Sequence, residues 1–303
     1  MKGIVLAGGS GTRLYPVTQV VNKHLLPIYN KPMIYYSLSL VMLAGIREVV
    51  IVINPSDEPF YRKLLKDGSH LGMRIEYSLQ EAPLGLTHAI MSTRDLVGEN
   101  PAMVVLGDNI LYGHNLGELF RKVKDSVERE GGAYVFGYHV QDPTRFGVVE
   151  FDQEGRVLSI EEKPQKPKSN FAVIGIYFFD ITLFEKGARV KPSARGEYEI
   201  TSLLEEYLKE GSLRVSLLGR GFAWFDAGTH SSFLEAGNFV QTIEEKTGYM
   251  LGAVEEIAYR NGWINREELK KLACLYQKTG YGEYLLKVAE EETNIAERLY
   301  FHC

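Results

Sequence analysis

Apolar residues along this chain recur with two periods, and the switches between them mark its elements. Short β-branched runs predict buried strands at Gly3–Ala7, Glu48–Ile53, Arg74–Leu79, Met103–Leu106 and Ala133–His139. Between them the spacing lengthens to that of one-faced helices. These run from Pro32 to about Ala44, with Gly45 as a stop, then over Phe60–Lys66, Leu86–Val97 and Leu116–Arg129. Such alternation predicts an α/β fold, a mostly parallel sheet wrapped by helices.

The pattern then changes. Phe146–Phe151, Val157–Glu161 and Ala172–Phe179 read as strands separated by turns, a β-rich insertion over about residues 140–220 placed to wall a ligand site. A helix at Glu199–Leu208, strands at Arg214–Leu218 and Phe222–Phe225, and a helix at Ser231–Glu245 complete a core of residues 1–247. Residues 248–303 form a helical module, with segments at Ile257–Arg260, Arg266–Leu272 and Tyr284–Leu299. Its apolar positions Leu269, Leu272, Leu275, Tyr284, Leu285 and Leu286 need a partner surface, which assembly with other copies is expected to supply.

Composition narrows the classes. With 45% hydrophobic and 24% charged residues the chain reads as soluble and globular, and a net charge of −5 excludes a broad nucleic-acid face. Anionic ligands must therefore be held by a few placed cations. The two cysteines, Cys274 and Cys303, make neither a disulfide framework nor a Cys-rich zinc site. No signal-peptide pattern opens the chain and no apolar run approaches the ~20 residues of a membrane span, so a cytoplasmic protein without a membrane partner is expected.

Candidate chemistry begins after the first strand, at Gly8-Gly9-Ser10-Gly11-Thr12-Arg13-Leu14. Glycines there let backbone N–H groups approach a phosphate. Leu14 stands where a dinucleotide fingerprint has its third glycine, and no Gly-Lys-Ser/Thr follows to make a Walker loop. The distinguishing features are Arg13 within the turn and Lys23 ten residues later.

Together with Leu26-Pro27, Lys31–Tyr36, Leu106-Gly107-Asp108-Asn109, Glu161-Glu162-Lys163-Pro164, Arg195-Gly196-Glu197, Glu199-Ile200-Thr201 and Asp226 through His230, this turn resembles the motif set of the sugar-phosphate nucleotidyltransferases. The resemblance runs in order through nearly the whole chain. It implies a nucleotide-binding sheet with a sugar-binding β-rich part, and transfer of a thymidylyl group from dTTP to glucose-1-phosphate with release of pyrophosphate. Uridylyl transfer, or another hexose-1-phosphate, stays open beside it, because thymine and uracil differ by one methyl. In this chemistry the attacking phosphate, with a second pKa of about 6, needs no general base. It needs charge neutralisation and in-line alignment.

The roles implied by the resemblance follow that need. Arg13 holds the triphosphate, Lys23 the α-phosphate region and Lys163 the sugar phosphate, while Asp108 and Asp226 carry Mg²⁺. Leu6, Gly8, Gly9, Gly11 and Thr12 line the nucleotide, and Gln80 and Gly85 read the base. Gly147, Glu162, Val173, Tyr177 and Arg195 receive the sugar phosphate. Leu84 before Gly85, and Ser202 after Thr201, depart from acidic residues common in the family. The resemblance further implies a homotetramer with a regulatory dTDP-sugar site near the tail, at Tyr112, Gly113, Glu256, Ile257 and Arg260.

On residues alone, Glu161-Glu162-Lys163 reads as a solvated strand end, Tyr177 as core, Trp224 as packing, and His230 as helix-start polarity. Two other classes fit the sequence less well. An NAD-dependent oxidoreductase lacks its third glycine, and a silent regulatory subunit would have lost a cation or carboxylate that this chain keeps.

Overall fold

The computed structural model describes residues 1–291. The end of the helix expected to run to Leu299, and Cys303, lie outside the described residues. The chain opens with β1 (Lys2–Leu6), crosses the glycine-rich turn and the hairpin of β2 (Pro27–Ile28) and β3 (Lys31–Pro32), and enters α1 (Met33–Leu43). Then come β4 (Glu48–Ile53), α2 (Glu58–Leu65), β5 (Arg74–Leu79), α3 (Leu86–Met91), α4 (Arg94–Val97) and β6 (Ala102–Leu106). β7 (Asn109–Gly113), α5 (Leu116–Glu130), β8 (Ala133–His139), β9 (Gly147–Phe151), β10 (Val157–Glu162) and β11 (Phe171–Phe179) follow. The described chain closes through α6 (Leu183–Gly187), α7 (Ile200–Lys209), β12 (Leu213–Leu218), β13 (Phe222–Asp226), α8 (His230–Thr247), α9 (Val254–Arg260), α10 (Arg266–Leu275) and α11 (Gly280–Glu290).

One nine-stranded sheet runs β10-β9-β11-β6-β1-β4-β5, with β8 beside β11 and β12 beside β8. The β6-β1-β4-β5 half is parallel, while β11 meets β6, β8 and β9 antiparallel. The β-rich stretch therefore extends the main sheet and makes no separate layer. Side chains alternate across it as strand geometry requires. Val5, Ile51 and Val105 enter the core under α1 and α5, whereas Ile4, Val50 and Val104 enter the core on the opposite face. Both faces are covered, which is why the parallel strands read as unbroken apolar runs.

Two expectations need correction, and two elements went unpredicted. Leu86–Val97 is two helices, because Ser92 and Thr93 turn their hydroxyls back onto Ala89 O (2.8 Å) and Ile90 O (2.7 Å) and compete with helix continuation. Residues past Asp108 form β7, and α6 arises where Asp180 caps the turn at Thr182; neither element stands out in the pattern. Phe222–Asp226 lies outside the sheet, as an antiparallel ribbon with β7.

The tail finds its partner surface within the same chain. Leu269, Tyr284 and Leu285 are buried with Val254, Ile257 and Ala258 in the core that contains α1 and the sheet, and Leu272 and Leu286 pack against it. Only Leu275 of the six remains largely exposed, at 68%. That burial explains why α1 is buried from Met33 through Met42, with the sheet on one side and α9 on the other.

Candidate active site

The parallel half ends in a cleft of about 560 Å³. Leu6 closes β1 at its floor, and the glycine-rich turn follows as its rim. Gly9 takes φ +104°, a conformation that side chains resist, and nothing packs where its Cβ would lie, so that side of the turn stays open. Gly11 precedes the single turn Thr12–Leu14, which presents Arg13 at the surface of the cleft. Asn22 caps the next turn, Lys23–Leu25, by accepting the His24 N–H at 2.9 Å, and that turn aims Lys23 inward.

Lys23 Nζ is salt-bridged to Asp108 Oδ2. Burial works to raise the Asp108 carboxyl, but the Lys23 ammonium, His24 and the hydrogen bonds from Lys23 and Asn109 together outweigh it and hold the group well below the usual range. Across the β7–β13 ribbon Asp226 faces Asn109, and Ala227 N–H donates to Asp108 C=O at 3.0 Å. Burial, then the charge of Asp108, pushes the Asp226 carboxyl up. Two carboxylates held this way, one paired and one strained by its neighbour, make a hard-oxygen set that fits a divalent cation such as Mg²⁺. His24 behind them is drawn down to about 3 by burial and then by Lys23, so its ring is neutral and stands apart from proton transfer.

At the nucleoside end Gln80 continues from β5, buried, with its Oε1 3.0 Å from where a Cβ on Gly8 would sit. Gly85 takes φ +108°, and a Cβ there would lie 2.6 Å from the Tyr198 backbone. That close approach locks the 80–87 segment against 197–199 through Tyr198 N–H to Leu84 C=O (2.8 Å) and Thr87 Oγ1–H to Glu199 C=O (2.7 Å). Leu84 points out, 41% exposed.

At the other end Gly147, Glu162, Lys163, Val173 and Tyr177 all line the cleft. Tyr177 is both core and wall: its ring is buried and stacks on Phe179. Lys163 sits at φ +45°, a strained conformation for a side-chain-bearing residue, with Nζ 3.4 Å from Glu162. Of the expected site residues, Gly11, Thr12 and Arg195 do not line the cleft. The Arg195 guanidinium lies on Glu199 (2.7 Å) and Glu162 (3.4 Å), so it orients carboxylates. Trp224 packs edge-on to Phe146 and Tyr138, and donates Nε1–H to Asn109 Oδ1 at 2.6 Å. His230 opens α8 with a ring nitrogen 3.2 Å from Tyr15 O, away from any metal role.

Sequence reasoning missed Arg145, which brings a further cation to the cleft from the turn Pro143–Arg145. A lone arginine in a turn carries no pattern. Asn109 was visible only as part of a motif. Its Oδ1 also accepts Gly175 N–H (3.0 Å), while its Nδ2 donates to Asp108 Oδ1 (3.1 Å), fixing that carboxylate to β11.

Residues 2–243 match the model of the nucleotidyl transferase family. The chain belongs to that family. A glucose-1-phosphate thymidylyltransferase of Xanthomonas campestris pv. campestris is 51% identical over 95% of this chain and 97% of its own length. One from Mycobacterium tuberculosis is 48% identical over 96% of this chain and 99% of its own. Among solved structures, a Bacillus anthracis protein provisionally named a glucose-1-phosphate thymidylyltransferase superposes with TM-score 0.72 at 38% identity, covering 79% of this chain and 94% of that one. A UDP-glucose pyrophosphorylase complexed with UDP-glucose gives TM-score 0.68 at 26% identity, covering 80% and 98%. The glycine-rich turn, Lys23, Asp108, Glu162-Lys163, Glu197, Glu199 and Asp226 thus meet in one cleft, at the carboxyl edge of the parallel strands where such sheets bind ligands.

A second cavity, of about 210 Å³, lies between α1, β7 and the tail. Tyr112, Gly113, Glu256, Ile257 and Arg260 all line it. Glu256 is buried, accepts from Tyr284 Oη–H and pairs with Arg260 at 2.8 Å. The two cavities share the β7–β13 ribbon, with Asp226 at one end and Phe222 opposite Gly113 at the other. Among the described residues no helix is long and apolar enough to cross a membrane.

Proposed function

We propose that this chain transfers a deoxythymidylyl group from dTTP to glucose-1-phosphate, forming dTDP-glucose and pyrophosphate. One observation carries the reading. A single cleft is lined at one end by the glycine-rich turn and Gln80, at the other by Glu162, Lys163 and Tyr177, with Arg13, Lys23, Arg145 and two carboxylates between them. Near-full-length identity of about half to thymidylyltransferases, against 26% to the uridylyl neighbour, favours thymine.

A sugar phosphate oxygen attacks the α-phosphorus of dTTP, the bond to the bridging oxygen breaks, and pyrophosphate leaves with that electron pair. The attacking phosphate is already largely dianionic at neutral pH, so no side chain removes a proton. Catalysis is then positioning and charge stabilisation. Lys163 holds the phosphate of the sugar phosphate, and Glu162, itself oriented by Arg195, accepts from the sugar hydroxyls. Arg13 and Arg145 receive charge developing on the pyrophosphate, and Lys23 neutralises the α-phosphate. Gln80 presents both an amide donor and an acceptor to the base. Asp108 and Asp226 would hold Mg²⁺, which when bound lowers the repulsion between the two phosphates.

The same reading extends to the setting. The enzyme works in the cytoplasm as a homotetramer, and a dTDP-sugar such as dTDP-rhamnose binds the second cavity as a regulator. Pyrophosphate release across four nucleoside triphosphates and several sugar-1-phosphates, with Mg²⁺, tests the substrate assignment. The dTTP and glucose-1-phosphate pair is expected to lead. A folded protein that releases no pyrophosphate with any sugar-1-phosphate would sink it.

A further inference from the structure

The glycine-rich turn must keep its shape for an in-line reaction, and its Gly11 end is held by Thr18, whose Oγ1–H donates to Gly11 C=O at 2.7 Å, which leaves the Gly9 end to be fixed. Gly9 in particular has open space beside it. Gly9 is held by a side chain from the connection that follows β4. Asn54, the residue after β4, brackets Gly9: its Oδ1 accepts Gly9 N–H and its Nδ2 donates to Gly9 C=O, both at 3.3 Å. The Asn54 amide also donates to Asp57 Oδ2 at 2.9 Å. The same carboxylate oxygen accepts from Asn22 Nδ2 at 2.7 Å.

Asn22 is fixed in turn. Its Nδ2 reaches Ala7 C=O (3.2 Å), and its Oδ1 accepts the His24 N–H (2.9 Å) and Tyr61 Oη–H (3.2 Å). The backbone donor sets the amide's orientation, so the neutral His24 ring must donate from Nδ1 to the same oxygen. One carboxylate thus ties the bracket on the phosphate-binding turn to the cap of the turn that carries Lys23. None of the three side chains lines the cleft.

We propose that Asn54, Asp57 and Asn22 are positioning residues, a clamp that fixes the glycine-rich turn and Lys23 relative to each other and sets the rate of the chemical step. The inference rests on the transferase reading above. Displacements well under 1 Å matter at such a step, and about 1 Å can lower a rate roughly 100-fold.

Two readouts test it on the full-length protein. Hydrogen exchange of the peptide covering residues 8–14 reports the clamp without any turnover. Asn54→Ala is expected to speed exchange there and leave the rest of the sheet unchanged. Steady-state pyrophosphate release then reports the consequence. Asn54→Ala and Asp57→Ala are expected to lower kcat at least about 10-fold with KM for the sugar phosphate within about 2-fold. Asp57→Asn, whose carbonyl can still accept both amides, is expected to recover most of the rate. Wild-type kcat in Asn54→Ala overturns the proposal, as does a change confined to KM, or a loss in Asp57→Asn equal to that in Asp57→Ala. If Asp57→Ala fails to fold, Asn54→Ala alone decides. A wild-type protein without pyrophosphate release would overturn the parent reading, while unchanged exchange in Asn54→Ala would overturn the clamp by itself.

Discussion

Asp108 and Asp226 were legible in the sequence as a pair, but their different environments were not. Sequence shows two aspartates after apolar runs. Only the fold shows that Lys23 sits on one of them, and that the other bears burial and its neighbour's charge. Their Asn variants should therefore diverge in stability while both lose activity. The depressed Asp108 stabilises the fold above its ordinary pKa, and that contribution is lost as pH falls. Asp108→Asn also strands a largely buried Lys23, at roughly 3 kcal/mol. The raised Asp226 acts in the opposite sense. Its favourable form is protonated, so the contribution is present below its ordinary 3.8 and lost as pH rises through the raised value. A neutral Asn keeps that form at every pH. Thermal melts at pH 7 without metal should show Asp108→Asn lower and Asp226→Asn higher than wild type, with turnover in each down about 100-fold or more. A lower melting temperature for Asp226→Asn would contradict the strained-carboxylate account. Gln80 gives a second residue-scale prediction. Gln80→Ala should cut kcat/KM for dTTP by about 10- to 100-fold and leave the sugar phosphate's KM in place, as steady-state kinetics would show.

β4, buried on both faces, was readable to the residue, and so was β5 at the sheet edge, from its run between turn signals. Elements whose existence depends on a distant partner were not. β7 is ordered by pairing with β13, more than 100 residues later, and no local pattern announces that. The tail was readable as helical, but its docking was not, since an apolar stripe does not name the surface it covers. Part of that docking is polar. Lys31, on β3, is buried against Glu244 of α8 at 2.8 Å, and its ammonium lies 5.8 Å from the Tyr281 ring of α11. Glu244 also accepts Leu251 N–H at 2.9 Å, at the entry to the tail. Glu244→Ala leaves a buried lysine unpaired and should cost about 3–5 kcal/mol in chemical denaturation. The double variant Glu244→Ala with Lys31→Met should regain most of it. A single variant as stable as wild type would mean that packing alone docks the tail.

At the scale of the whole molecule, burial of the tail's apolar face within the chain removes one argument for assembly and leaves another. Tyr15, Val17, Val20 and Leu234 are exposed apolar residues, with Val20 84% exposed. Such a surface suits subunit contact. Light scattering at working concentration is expected to give the mass of four chains, and a monomer would refute the tetramer. The tail being part of the main core, a chain ending at residue 247 should lose the fold of the catalytic half as well. Circular dichroism of that truncation would show it.

The central claim is that one cleft joins the α-phosphorus of dTTP to a sugar phosphate without a catalytic base. Following dTTP labelled at the α-phosphorus, with glucose-1-phosphate and Mg²⁺, tests this directly. The account predicts that the label moves into dTDP-glucose only when the sugar phosphate is present, with one pyrophosphate released per label transferred. Label that stays in dTTP, or that appears as dTMP through attack by water at the same rate with or without the sugar phosphate, would contradict it.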